Sequence, residues 1–210
     1  MVSCLLCHSE TTINYTSINN IIYLKCNICK TVFKHPKHFI SPEAEKEHYA
    51  KHHNDIEDIH YQQFVSPIFK SVIQNFPNYS KGLDFGAGTG PVIKKLLTEK
   101  GYQIALYDPF FHADISVLQQ KYNFIICCEV VEHFHHPHKE FKLLKKLLMP
   151  GGKLFCMTEL IPVNIPFEEW YYIKDPTHVI FYSEESLTWI KKRQSFSEVE
   201  FDGRLIVFSN

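Results

Sequence analysis

The nine residues Gly82-Leu83-Asp84-Phe85-Gly86-Ala87-Gly88-Thr89-Gly90 set a carboxylate at the end of an apolar run and follow it with three alternating glycines. Glycine tolerates positive φ and carries no Cβ, so such a turn can run close against a bound molecule. Pro91 stands where a helix starts, Val92, Ile93, Leu96 and Leu97 supply its apolar stripe, and Gly101 closes it. Strand, glycine turn and helix make the first unit of a doubly wound α/β sheet. The spacing is G-x-G-x-G, whereas the dinucleotide pattern G-x-G-x-x-G would need a glycine at Pro91. The next strand, Tyr102 to Asp108, ends in an acid placed to take both hydroxyls of an adenosine ribose, so Asp108 is the expected ribose ligand.

Two further groups have the character of metal ligands. Cys4-Leu5-Leu6-Cys7 and Cys26-Asn27-Ile28-Cys29 are C-x-x-C pairs separated by a β-rich stretch, Thr11 to Leu24, of hairpin length. Four thiolates gathered in this way suit tetrahedral Zn²⁺, and a structural zinc is expected on Cys4, Cys7, Cys26 and Cys29. The chain has seven cysteines, and the odd number argues against a disulfide framework. Cys127, Cys128 and Cys156 lie in apolar strand patterns and read as small core residues. Glu129, Glu132 and His133 stand at i, i+3 and i+4 just after an apolar strand, where one helical turn aligns them toward the crevice at the strand ends. Two carboxylates and an imidazole form a facial set for Mg²⁺, Mn²⁺, Fe²⁺ or Zn²⁺ with positions left for substrate oxygens. His178, in Asp175-Pro176-Thr177-His178, is the candidate fourth ligand. The competing reading has no second ion: His133 is then a general base, and Glu132 and His178 complete the catalytic group.

Four segments in order resemble the class I S-adenosylmethionine-dependent methyltransferases: Leu83 to Gly90 their first motif, Tyr107-Asp108-Pro109-Phe110 their second, Ile125 to Phe134 their fourth, and Leu148 to Phe155 their post-helix turn. With its Cys4 pairs the chain is most similar to the branch that holds ubiquinone-biosynthesis O-methyltransferases. The resemblance implies a Rossmann-like sheet with Gly86, Ala87 and Gly88 against the methionine part of the cofactor, Asp84 at its amino group, Asp108 at the ribose, and Glu129 and Val130 lining the pocket. E-x-x-E-H with a later histidine is similar to metal-dependent small-RNA 3′-terminal 2′-O-methyltransferases. Amine-methylating relatives carry Asn or Asp, two prolines and an aromatic where Glu129-Val130-Val131 stands, so an oxygen or carbon acceptor is expected. Pro109 to Asn123 is short for a helix, strand and helix, which predicts an abbreviated or lost third strand.

The elements that must position these groups fall into three stretches: a zinc ribbon at 1–38, a helical linker at 39–79 and a methyltransferase core at 80–210. Strands are expected near 82–86, 102–108, 124–129, 153–159, 197–202 and 204–209. Phe167 to Tyr172 reads as aromatic packing in a lid region, and His135, His136 and His138 as a solvated loop. His52, His53 and Asn54 read as an exposed polar helix end, with cofactor capping as the alternative. At 210 residues and 45% hydrophobic content the chain can bury one core with a small appendage. No long apolar run or leader pattern is present, so a cytoplasmic protein is expected. A net charge of −1 gives no global pull toward nucleic acid or membrane. The expected substrate is a small molecule or an RNA end. Sugar C-methylation is one alternative, and an inactive RNA- or protein-binding module on the same fold is another.

Overall fold

The structure is a computed structural model that describes residues 2–51 and 55–210; His52, His53 and Asn54 lie outside the described residues. Its strands are β1 (Thr12–Ile18), β2 (Ile21–Cys26), β3 (Val32–Lys34), β4 (Lys81–Phe85), β5 (Gln103–Tyr107), β6 (Tyr122–Cys128), β7 (Leu148–Met157), β8 (Ile180–Phe181), β9 (Glu198–Asp202) and β10 (Leu205–Ser209). Its helices are α1 (Pro42–Ala50), α2 (Ile59–Asn75), α3 (Val92–Glu99), α4 (Pro137–Leu147) and α5 (Glu184–Arg193).

Six strands form the main sheet in the order β5-β4-β6-β7-β10-β9. The first four run parallel, and β10 lies antiparallel to both β7 and β9. The strand order reverses between β4 and β6, which opens the crevice where ligands bind in such sheets. The parallel strands are covered on both faces, and this is why Phe124 to Cys127 is a continuous apolar run with no solvent exposure. One face packs on α4 and α5 through Phe141, Leu144, Leu187 and Ile190, and the other on α2 and α3 through Val65, Ile68, Val72 and Leu97. The mixed α/β sheet matches the Rossmann-like expectation, and no strand lies between β5 and β6. A 3₁₀ turn, Ile115–Gln119, takes the place of the abbreviated unit and leaves β5 at the edge.

Sequence signals set the helix starts. Ser41 caps α1 through its hydroxyl, Pro42 takes the first helical position, and Glu43 and Glu45 lie in the first turn. Ser183 and Ser186 form a capping box on α5. Pro91 is the cap residue of α3 rather than its first helical residue. Pro150-Gly151-Gly152 lies inside β7 as a bulge: Tyr122 pairs with Leu148 and Phe124 already with Lys153.

The second sheet, β1-β2-β3-β8, does not end with the amino-terminal segment. Its last strand, β8, comes from residues 180–181 and pairs antiparallel with β3, so the ribbon hairpin and the region after β7 share one sheet. Tyr23 and Val32 pack there with Phe167, Trp170, Tyr172, Ile173 and Phe181. The aromatic stretch at 167–172 is therefore mostly core: Trp170 is 2% exposed, whereas Tyr171 is 56% exposed.

Candidate active site

The glycine turn joins β4 to α3 and is tied to its neighbour strand, since Gly86 N and Ala87 N both donate to Tyr107 O at 2.8 and 3.2 Å. Its glycines do different jobs. Gly86 has φ +81, and a Cβ on it would sit 2.5 Å from a Val130 methyl, so its bareness admits a protein side chain rather than a ligand. Gly88 has φ +60, and a Cβ there would meet nothing within 4 Å. It lines a cavity of about 710 Å³ together with Ala87, Asp108, Glu129 and Val130, a size suited to a nucleoside-bearing ligand with room beside it. The open space at Gly88 is the cradle that the cofactor reading requires.

Asp108 closes this end. Its carboxylate accepts from Gly88 N at 3.0 Å, Phe110 N at 2.8 Å and Phe111 N at 3.0 Å, so the expected ribose ligand also braces the glycine turn against the β5 loop. Asp84 is buried at the end of β4, where burial and the nearby Asp108 charge push its pKa up to about 7. A ligand ammonium would be a fitting counter-charge for it.

The other end of the cavity carries the acid–histidine group. The helical turn expected over Glu129 to His133 is shorter: Glu129 takes φ +52, and only Val131–His133 form a 3₁₀ turn. The consequence is a division of the two glutamates. Glu132 is fully buried and faces both imidazoles, with its Oε1 4.0 Å from His133 Nε2 and 4.0 Å from His178 Nε2. The ligand atoms of Glu132, His133 and His178 all lie within 4.8 Å of one another. Glu129 is not brought into this trio. Its Oε2 accepts from Arg204 at 2.6 Å and from the Tyr172 hydroxyl at 3.2 Å, and Arg204 also meets Glu159 at 3.2 Å.

Backbone carbonyls orient both histidines. His133 Nδ1 lies 3.1 Å from Thr177 O, and His178 Nδ1 lies 2.7 Å from Tyr172 O. A carbonyl accepts only, so each Nδ1 carries the proton and each Nε2 presents a lone pair toward Glu132. Separations of 4.0 Å are too long for hydrogen bonds and wider than the roughly 3.4 Å between tetrahedral ligands at bonds of about 2.1 Å, so a shared ion would draw these atoms together by about half an ångström. Glu132 Oε2 is buried without a partner among the described residues, and its Oε1 accepts from Tyr172. Burial pushes Glu132 up to about 7 and holds His133 below its ordinary value. Burial, reinforced by His133, pushes His178 down to about 3. Two lone pairs and an orphaned carboxylate oxygen are the donor set of a divalent-ion site, and the residues present fit such an ion.

A second site lies at the ribbon. Cys4 Sγ is 3.5 Å from Cys29 Sγ and Cys7 Sγ 3.4 Å from Cys26 Sγ, with all four within 4.8 Å and none in a disulfide. Zn–S bonds of about 2.3 Å place tetrahedral sulfurs somewhat under 4 Å apart, so the four thiols fit a zinc ion.

Several residues at the acceptor end carry no local sequence signal of their role. Tyr172 sat unremarked within an aromatic stretch, yet its hydroxyl joins Thr158, Glu129 and Glu132. Arg204 lies in the two-residue Gly203-Arg204 turn between β9 and β10 and reaches the cavity only because β10 lies beside β7. Tyr49 of α1 packs edge-on against His133 at 5.4 Å. A carboxylate–arginine pairing with Glu129 was the one clue available, and it spans 75 residues.

Fold and site together define a methyltransferase architecture. Residues 41–200 match the family model of the methyltransferase domain, and the chain belongs to that family. It has the fold of S-adenosylmethionine-dependent methyltransferases: a SAM-dependent methyltransferase from Archaeoglobus fulgidus superposes with a TM-score of 0.55 at 16% identity, over 70% of this chain and 94% of that one. The pyocyanin biosynthetic protein PhzM gives 0.51 at 12% identity, over 78% and 61%. The Haemonchus contortus phospholethanolamine N-methyltransferase 2, solved with phosphomonomethylethanolamine and S-adenosylhomocysteine, gives 0.50 at 15% identity, over 64% and 38%. This chain thus spans less than two thirds of the length of the latter two. No curated protein matches the sequence. No helix among the described residues is long and apolar enough to cross a membrane.

Proposed function

We propose that this protein transfers a methyl group from S-adenosylmethionine to an oxygen of a small molecule or an RNA end. The observation that carries this reading is the shared cavity, which has the open Gly88 turn and Asp108 at one end and His133 and His178 at the other, with Glu132 buried against both imidazoles. The cofactor, when bound, supplies an electrophilic methyl on a sulfonium. Asp84 would take its ammonium, Asp108 its ribose hydroxyls, and Gly86, Ala87 and Gly88 the surrounding backbone contacts. What remains for the protein is to align the acceptor in line with that methyl and to accept its proton.

His133 has the right form for the proton. Burial keeps it neutral, and the Thr177 carbonyl leaves Nε2 as the free base. Tyr49 packs against His133 and Tyr172 against His178, and both rings limit the water that can enter. In the alternative form of this reading the His133 lone pair is used as a ligand instead: a divalent ion held by Glu132, His133 and His178 would lower the pKa of a coordinated acceptor hydroxyl, which would then lose its proton to solvent and become nucleophilic near neutral pH. Glu129 then serves as a wall that anchors Arg204. Zinc on Cys4, Cys7, Cys26 and Cys29 has a structural role in this reading.

The test combines binding with transfer. Calorimetry with S-adenosylmethionine should give one site per chain, and labelled methyl should pass to hydroxyl-bearing phenols and polyols or to RNA with free 2′ and 3′ ends. Manganese titration under the same conditions should stimulate transfer. Cofactor binding without transfer to any oxygen acceptor would favour sugar C-methylation, and no cofactor binding would leave a binding module on the same fold. Transfer that persists in a chelator would assign the chemistry to His133 as a lone base.

A further inference from the structure

His178 reaches the site on a turn that has no helix or long strand of its own. Asp175 opens this turn by accepting from Thr177 N at 2.8 Å, and two residues after His178 the chain enters β8, which is only two residues long. Something outside the turn must fix its position to a few tenths of an ångström, because His178 Nε2 is useful only when aimed at Glu132. Glu132 itself supplies one tie, since its backbone O accepts from Val179 N at 3.0 Å. Tyr172 O and His133 Nδ1 supply two more, to His178 Nδ1 and Thr177 O, and a further set comes from Thr31 and β3 of the ribbon. Val32 pairs with Phe181 and Phe33 with Ile180, Lys34 N donates to Val179 O at 2.9 Å, and the buried Thr31 hydroxyl donates to Phe181 O at 2.9 Å.

One of these ties is costly. The Lys34 side chain is 1% exposed, and its Nζ donates to Pro176 O at 2.8 Å, across 142 residues of sequence. Burying an ammonium on a single carbonyl is unfavourable unless other charges share it, and here Asp175 and Glu45 face it. An apolar side chain of similar size would pack the same volume without that penalty. Proline at 176 offers no N–H, so at that residue the carbonyl is the one backbone group that can be held.

We propose that Lys34 is a positioning residue for the acceptor site: its ammonium grips Pro176 O and so holds the 175–178 turn with His178 Nε2 directed at Glu132. The ribbon is then the template of half the active site. The proposal rests on the reading of Glu132, His133 and His178 as an ion or acid–base group, but its signature is read on His178 alone.

The experiment compares the parent with Lys34→Met, Lys34→Gln and Thr31→Val, all in the full chain. Nitrogen NMR of the imidazoles, with zinc kept on the four thiols and no manganese added, reports whether His178 is held as a single tautomer protonated at Nδ1. Manganese and S-adenosylmethionine titrations report the two ends of the cavity. Lys34→Met should lose the single His178 tautomer and weaken manganese binding at least tenfold, with cofactor affinity within threefold of the parent. Lys34→Gln, which keeps a donor on a shorter stem, should restore part of both signals. Thr31→Val removes a tie to β8 but not to the turn, and should lower thermal stability without moving the His178 signals. If Lys34→Met leaves the His178 tautomer and manganese affinity unchanged, the proposal is overturned and Lys34 is structural only. Should Lys34→Met not fold, an unaltered His178 pattern in Lys34→Gln together with a changed one in Thr31→Val overturns it equally. A parent that binds no manganese removes the ion reading, and the His178 signals still decide the role of Lys34.

Discussion

The two ends of the cavity are built differently. At the cofactor end, Asp84, Gly86, Ala87, Gly88 and Asp108 come from two consecutive strand ends, and 24 residues separate the first from the last; short backbone bonds such as Gly88 N to Asp108 tie them together. The acceptor end draws on the 3₁₀ turn after β6, the 172–178 segment, the β9–β10 turn and helix α1. At the first end Asp108 accepts from three backbone amides, and Gly86 N and Ala87 N donate to Tyr107 O. At the second, Glu129 Oε1, Glu132 Oε2 and Arg204 Nε are buried without partners among the described residues. Unsatisfied buried groups are costly, and such a cluster marks where a ligand is meant to complete the structure. One end is tied together by groups close in sequence, and the other by groups far apart in it.

The strongest way to break this contrast is to remove zinc from the ribbon. If the four thiols hold zinc as proposed, Cys26→Ser should release the ion and loosen residues 1–38, because the loop ends of so small a ribbon depend on their metal. The shared β3–β8 pairing extends the damage: hydrogen exchange should also speed up at residues 171–181, while β4 to β6 stay protected. Metal analysis and exchange mass spectrometry check it, and protection of 171–181 in the zinc-free variant would show the two regions to be independent.

Next in size is Gly88→Val. A branched residue at φ +60 is strained by about 1–2 kcal/mol and projects into the cavity, so S-adenosylmethionine affinity should fall more than a hundredfold in calorimetry while the chain stays folded. Gly86→Ala makes the instructive partner. Its Cβ would strike Val130, so it should lower thermal stability rather than act on the ligand directly.

Asp108→Ala should weaken the cofactor by the loss of charge-assisted ribose bonds worth about 1.5–3 kcal/mol, roughly ten- to a hundredfold. It also releases the amides of Gly88, Phe110 and Phe111, so the loss should appear in both the dissociation constant and the melting temperature. An effect on stability alone would remove Asp108 from the ribose site.

The smallest effect is a pH dependence that belongs to the cofactor end. Asp84 titrates at about 7 in the folded chain, raised from an ordinary value near 3.8 by burial and by Asp108. Its contribution to stability is therefore full below the unfolded value and is lost as pH rises through about 7. A bound ammonium favours the ionised form, so cofactor affinity should improve between pH 6 and 8 and then level off. Asp84→Asn should flatten that slope, and an unchanged profile in the variant would assign the titration elsewhere.

Much of the main sheet was legible because its signals are local. Apolar runs at 122–128 and 153–157 reflect burial on both faces, and the shortness of Pro109 to Asn123 foretold the missing strand. The Cys4 spacing likewise placed four thiols within reach of one another. The i, i+3, i+4 argument succeeded for Glu132 and His133 and did not bring Glu129 to them. It assumed an α-helical turn, and the left-handed backbone at Glu129 delivers that carboxylate to Arg204 instead.

The sequence by itself determined the glycine turn, the acid at each of the first two strand tips of the main sheet, the thiol pairs and the order of strands, because each depends on spacing along a few residues and on which faces must be buried. Only the tertiary structure decided which distant groups meet. That His178 faces Glu132, that Lys34 grips the turn carrying it, and that a ribbon strand pairs with β8 follow from contacts spanning 46, 142 and 149 residues respectively. No periodicity encodes such pairs: they arise from how two sheets and their helices pack, and from the need of buried polar groups to find partners.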